Sequence, residues 1–118
     1  MGASFKDLVV WQRALLLSTE IYRLTSSFPR AEQFGLTNQL RRASVSIASN
    51  IAEGYGRSTR GEDLQSLGYA RGSNCELQTQ LMIAGALGFG EEETRECAEG
   101  LSADVSRLLN ALIGKLRQ

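Results

Sequence analysis

Residues 36–56, LTNQLRRASVSIASNIAEGYG, constrain this chain more than any other stretch. Leu36, Leu40, Ala43, Ile47 and Ile51 recur every three or four positions and draw one apolar stripe down an α-helix. Arg41, Arg42, Ser44, Ser46, Ser49, Asn50 and Glu53 crowd the same turns, with Asn50 at the edge of the stripe. A buried amide without a partner costs about 1–3 kcal/mol, so this helix requires neighbours that offer polar groups as well as apolar ones.

The rest of the composition allows such neighbours to be helices only. The chain has 118 residues and one proline, with few clustered β-branched residues and long runs of helix formers, which predicts an all-α fold in one domain, residues 1–118. A chain of this length buries about 65% of the surface it exposes when unfolded, so it needs no disulfide or metal staple. No run approaches the roughly 20 uncharged apolar residues of a membrane span, and no basic segment followed by an apolar one opens the chain. A cytoplasmic protein without a membrane partner is expected. Cys75 and Cys97 lack metal or redox spacing and, on antiparallel neighbours, stand about 9 Å apart in height. They are expected to be free, buried thiols.

In chain order, Ser4 and Asp7 have the spacing of a capping box, which places helix 1 at about 5–25. Val10, Ala14, Leu17, Ile21 and Leu24 form its inner stripe, and Trp11, Leu15 and Tyr22 form a second one beside it. Two stripes exceed what one subunit covers, so Trp11, Leu15 and Tyr22 are the expected contact with another copy. Pro29 ends that connection, and helix 2 follows at about 36–54, closed by the left-handed backbone of Gly54 and Gly56. Thr59 and Glu62 cap helix 3, about 60–87, with Leu64, Leu67, Ala70, Asn74, Leu77, Leu81, Ala84 and Gly88 as its seam. Glu91, Glu92 and Glu93 open helix 4, about 91–117, whose inner face reads Ala98, Leu101, Val105, Leu108, Leu112 and Leu116. Short connections make this an antiparallel up-down-up-down four-helix bundle.

Pairing positions by height across the turn near Ser58 sets Arg41 and Arg42 beside Glu76, and Gln39 beside Gln78. Gln39, Arg41, Arg42, Ser46 and Asn50 of helix 2 are then met by Ser73, Asn74 and Glu76 of helix 3 in one inter-helix polar network. The same geometry brings Trp11 towards Ile47 and Leu15 towards Ala43.

Catalysis is limited by what is missing. With no histidine, nucleophile–histidine pairs and the Glu-x-x-His metal sites of helical bundles are excluded, and the glycines match no phosphate cradle. No catalytic residue, cofactor or metal is expected. The enzyme alternative would use the carboxylates Glu53 and Glu76 in a polar pocket between helices 2 and 3. Charge is uneven although it sums to zero: eight basic and four acidic residues up to Arg60, five and nine beyond it. Lys6, Arg57, Arg60, Lys115 and Arg117 gather at one end of an antiparallel bundle, which makes them the candidate contacts for nucleic acid or another partner. A ring of copies multiplies that patch.

FKDLVVWQRA, FPRAEQFGLTNQLRRASVSIASNIAEGYGRS and GSNCELQTQL together resemble the four-helix-bundle family of 23S ribosomal RNA intervening-sequence proteins, to which the accessory variability protein of diversity-generating retroelements is related. Arg41, Arg42 and Arg57 fall on that family's RR and GxGR positions. The resemblance implies a homopentamer of bundles and, for the retroelement relatives, binding of nucleic acid and a reverse transcriptase through basic surfaces. The expected function is therefore a non-catalytic, oligomeric binding or scaffolding module for RNA or DNA or a reverse-transcriptase-like partner.

Overall fold

Four apolar stripes turn towards a common axis in the computed structural model, which describes residues 3–118. The helices are α1, Val9–Thr25; α2, Leu36–Tyr55; α3, Arg60–Leu87; and α4, Glu92–Leu116. Short 3-10 turns at Phe5–Asp7 and Arg30–Glu32 precede α1 and α2, and no strand occurs among the described residues. α1 and α3 each pack against α2 and α4, while the diagonal pairs stay apart. Ser46 meets Ser73 and Gln39 meets Gln80, pairs in which one number rises as the other falls, as antiparallel neighbours require. The result is an all-α, up-down-up-down bundle of 44 × 26 × 24 Å.

Its core follows the expected stripes of α1 and α2 and, on α3, that from Leu67 to Ala84, where Ser66 and Gln80 are buried as well; Leu64 is only half-buried and Gly88, at the helix end, is exposed. Leu17, Ile21, Leu40, Ile47, Ile51, Leu77 and Leu81 are fully buried, each worth about 1.5–3 kcal/mol relative to exposure. On α4 the expected register is corrected. Ala98, Ser102, Val105, Leu109 and Ile113 are the buried residues, and Leu101, Leu108, Leu112 and Leu116 flank them half-buried. Two apolar stripes lie side by side on this helix, and Asn74 on α3 selects the one that carries a hydroxyl.

Three further expectations change. The capping box at Ser4 forms, with Ser4 N–H donating to Asp7 Oδ2 at 3.0 Å, but it closes only the 3-10 turn. Leu8 is extended at ψ 123° and α1 begins at Val9 rather than residue 5. Gly56 ends α2 with right-handed backbone at φ −81°, whereas the left-handed stop belongs to Gly88 at φ 72°, where Phe89 N–H reaches back to Ala84 O at 2.9 Å. Both cysteines are exposed. Each sits next to a seam residue, Asn74 or Ala98, and one residue is about 100° of helix rotation.

Candidate functional site

α2 distributes its polar groups to two neighbours, not one. Towards α1, Arg41 Nε donates to Thr25 Oγ1 at 2.8 Å and its guanidinium lies 4.6 Å from the centre of the Tyr22 ring, while Ser44 and Ser18 hydroxyls meet at 3.1 Å. Towards α3, Ser46 and Ser73 meet at 2.9 Å, and Asn50 Nδ2 turns back to Ser46 O and Oγ at 2.9 and 3.0 Å. Gln39 accepts from Gln80 Nε2 at 3.5 Å rather than meeting Gln78, because α2 runs on to Tyr55 and the turn is centred later than Ser58. Gln80 Oε1 is buried with no partner.

The expected network is thus divided. Arg41 serves α1, so it is not beside Glu76. Arg42 and Glu76 line one open cavity of ≈270 Å³ with Asn38, Gln39 and Gln80, but form no ion pair. Asn74 leaves α2 altogether: its Nδ2 donates to Ser102 O at 3.0 Å and its Oδ1 accepts from Ser102 Oγ at 2.7 Å, both groups buried. Ser102 and Gln80 were invisible to a search for apolar periodicity. Their signal is a polar residue at a seam position, Ser102 standing between Ala98 and Val105 at helical spacing.

At one pole the ends of all four helices assemble Lys6, Arg57, Arg60, Lys115 and Arg117, all exposed. Arg57 is paired with Glu53 one turn earlier, and Arg60 Nη1 donates to the Gln118 carbonyl at 3.2 Å. Lys6, Lys115 and Arg117 form no ion pair among the described residues. Acids share this pole: Asp7 is occupied by Ser4, and Glu62 accepts from Thr59 Oγ1 at 3.0 Å. Below the cations lies a cavity of ≈200 Å³ walled by Leu8, Ile51, Leu67, Leu112 and Leu116, with Tyr55 and one carboxylate, Asp63. The Asp63 carboxylate accepts no hydrogen bond among the described residues, and its partial burial pushes the carboxyl above the ordinary 3.8. A Cβ at Gly54 would stand 2.6 Å from Asp63 Oδ1 and 3.0 Å from Ser66 Cβ, so glycine admits the carboxylate against the α2 backbone.

Carboxylate chemistry finds little support here. Glu53 is held by Arg57, and Glu76 has Arg42 in its cavity. No group of three metal-ligating side chains occurs among the described residues.

The flanks of the bundle are apolar in patches. Leu15 and Tyr22 are each 45% exposed, while Trp11 is half-buried against Phe5, ring centres 5.2 Å apart. Leu16 on α1, and Met82, Ile83 and Leu87 on α3, also face out, and Phe34 before α2 is 87% exposed. No helix among the described residues is long and apolar enough to cross a membrane.

A family model described as 23S rRNA-intervening sequence protein matches residues 6–111, and the chain belongs to that family. The bundle is similar to the crystal structure of a protein with unknown function from the S23 ribosomal protein family of Bacteroides thetaiotaomicron. The TM-score is 0.79 at 22% identity, over 89% of this chain and 98% of the other. Comparison with curated proteins gives no match.

Proposed function

We propose that, as a member of the 23S rRNA-intervening sequence protein family, the chain is a non-catalytic module that joins copies of itself and acts by binding at the surfaces the assembly presents. One observation carries this reading: solvent-facing apolar residues lie on two opposite corners of the bundle, Leu15, Leu16 and Tyr22 on α1 and Met82, Ile83 and Leu87 on the diagonal helix α3. Isolated exposed apolar residues are ordinary, but two clusters on opposite sides suit a head-to-tail contact. Such a contact is heterologous, so it closes into a ring when the rotation permits. Five copies is the ring the family resemblance implied. Light scattering on the full chain tests this: a discrete multimer is expected, and Leu15→Ser with Tyr22→Ser should return it to protomers that keep their helical content. A wild-type monomer at micromolar concentration would overturn the reading.

Nucleic acid is the partner the exposed cations favour. Lys6, Lys115 and Arg117, unpaired among the described residues, recur on every copy with Arg57 and Arg60, and a cytoplasmic ring would present them together. The opposite pole carries exposed Glu91, Glu92 and Glu93, which would turn a polyanion towards the cationic face. A reverse-transcriptase-like protein is the competing partner for the same assembly. A mobility-shift series with RNA separates them: binding that weakens steeply with salt supports nucleic acid, and no shift at low salt leaves the protein scaffold.

A further inference from the structure

The cavity at the cationic pole is walled in part by a first-turn acid of α3, Asp63, whose carboxylate has no hydrogen-bond partner among the described residues. Glu62, next to it, does what an acid in the first turn of α3 ordinarily does, facing solvent and taking the Thr59 hydroxyl. Asp63 instead lays Oδ1 against α2 where only the backbone of Gly54 leaves room, so two positions on two helices combine to hold an acceptor in an otherwise apolar wall. A ligand that matches has apolar faces and an N–H edge.

Size and charge narrow its class. An apolar cavity of about 150 Å³ already holds a benzene ring, so ≈200 Å³ accepts a pyrimidine ring. The five cations of the pole each stand one to three residues from a wall residue, for example Lys115 and Arg117 on either side of Leu116. With Asp7, Glu53, Glu62 and Asp63 at the same pole, that rim keeps one net positive charge. It attracts a neutral amino group tethered to phosphate.

We infer that this cavity takes an unpaired nucleobase bearing an exocyclic amino group, cytosine above all, with Asp63 accepting its N–H and the surrounding cations holding the adjoining phosphates. The inference rests on nucleic-acid contact at this pole, proposed above, and adds which base the pole prefers. A carboxylate accepts from the amino group of cytosine but faces a carbonyl oxygen in uracil, a ring of equal size and the sharpest contrast available.

The experiment compares single-stranded oligo-C and oligo-U RNA of equal length on the full chain, by fluorescence anisotropy at low salt. Oligo-C should bind about tenfold more tightly. Asp63→Asn should bring the two strands to near equality, because a carboxamide offers a donor as well as an acceptor. Lys115→Ala with Arg117→Ala should weaken both strands alike and keep their ratio. Equal, salt-sensitive binding of both strands by the wild type would overturn the base pocket while nucleic-acid contact stands. A preference that survives in Asp63→Asn would overturn the role of Asp63, and failure of either strand to bind at low salt would remove pocket and contact together.

Discussion

Both polar side-chain atoms of Asn74 find their partner in one residue, Ser102, through a backbone and a side-chain bond on the neighbouring helix. Removing the hydroxyl alone strands the Asn74 carbonyl in the core, so Ser102→Ala should cost about 1–3 kcal/mol in urea unfolding. Replacing both partners by apolar residues, Asn74→Leu with Ser102→Ala, should cost less than the two single changes together, since no orphan remains. Gly54→Ala is a test of the opposite kind. Alanine gains about 1 kcal/mol in a helix, but its methyl would displace Asp63 Oδ1 from 2.6 Å and press on the less mobile Ser66 Cβ at 3.0 Å and Asp63 O at 3.3 Å, and overpacking costs about 1–3 kcal/mol. Net destabilisation is expected at the same measurement. Asp63 itself is held above 3.8 by desolvation, so the folded chain binds its proton more readily than the unfolded one. Its contribution is fullest below pH 3.8 and is lost as pH rises through the raised value. Asp63→Asn should therefore stabilise the chain at neutral pH, and the gain should fade as pH falls to 3.8, read from unfolding midpoints across that range.

At the scale of the element, α1 is the helix whose two faces have different duties. The inner one, Val10 to Leu24, is buried against α2 and α4; the outer one keeps Leu15 and Tyr22 partly in water. Tyr22 is also the platform for Arg41, which links α1 to α2 through Thr25. Arg41→Lys keeps the charge but loses the planar fork and the stacking, so it should lower stability by about 0.5–1.5 kcal/mol in thermal unfolding, with α1 amides showing the earliest loss of exchange protection. The non-helical Leu8 has a comparable local cause. It turns the chain where Phe5 lies against Trp11 and Leu8 itself joins the apolar wall of the cavity at the cationic pole.

For the whole molecule, charge and apolar surface act along different directions. The cations lie at one end of the 44 Å long axis and the glutamate run at the other, while the apolar patches lie on the flanks. Lateral association of the kind proposed would therefore stack like pole beside like pole and concentrate cations on one face of the assembly. If the proposed ring forms, Leu15→Ser with Tyr22→Ser should reduce RNA affinity along with molecular mass, because a single pole offers few phosphate contacts and a ring of poles would offer many. Anisotropy titrations run beside light scattering check the two losses together.

Four helices, the inner faces of α1 and α2 and that of α3 from Leu67 to Ala84 were legible in the residues alone, because those stripes have helical period and caps or breakers bound them. The sequence also carried the family resemblance in the stretch from Gln39 to Gly56. Tertiary structure decided where polar groups found partners. Arg41, Asn74 and Glu76 are each within reach of more than one neighbour by spacing alone, and moving the centre of the turn between α2 and α3 by one residue changes Gln78 for Gln80. The face of α4 was ambiguous for the same reason: Leu101, Leu108 and Leu112 make a more apolar stripe than Ser102, Leu109 and Ile113, and the value of Ser102 depends on an amide brought from another helix. Asp63 was legible only as a first-turn acid, since its inward position requires the close approach of α3 to the bare backbone of Gly54, a distance that periodicity does not encode.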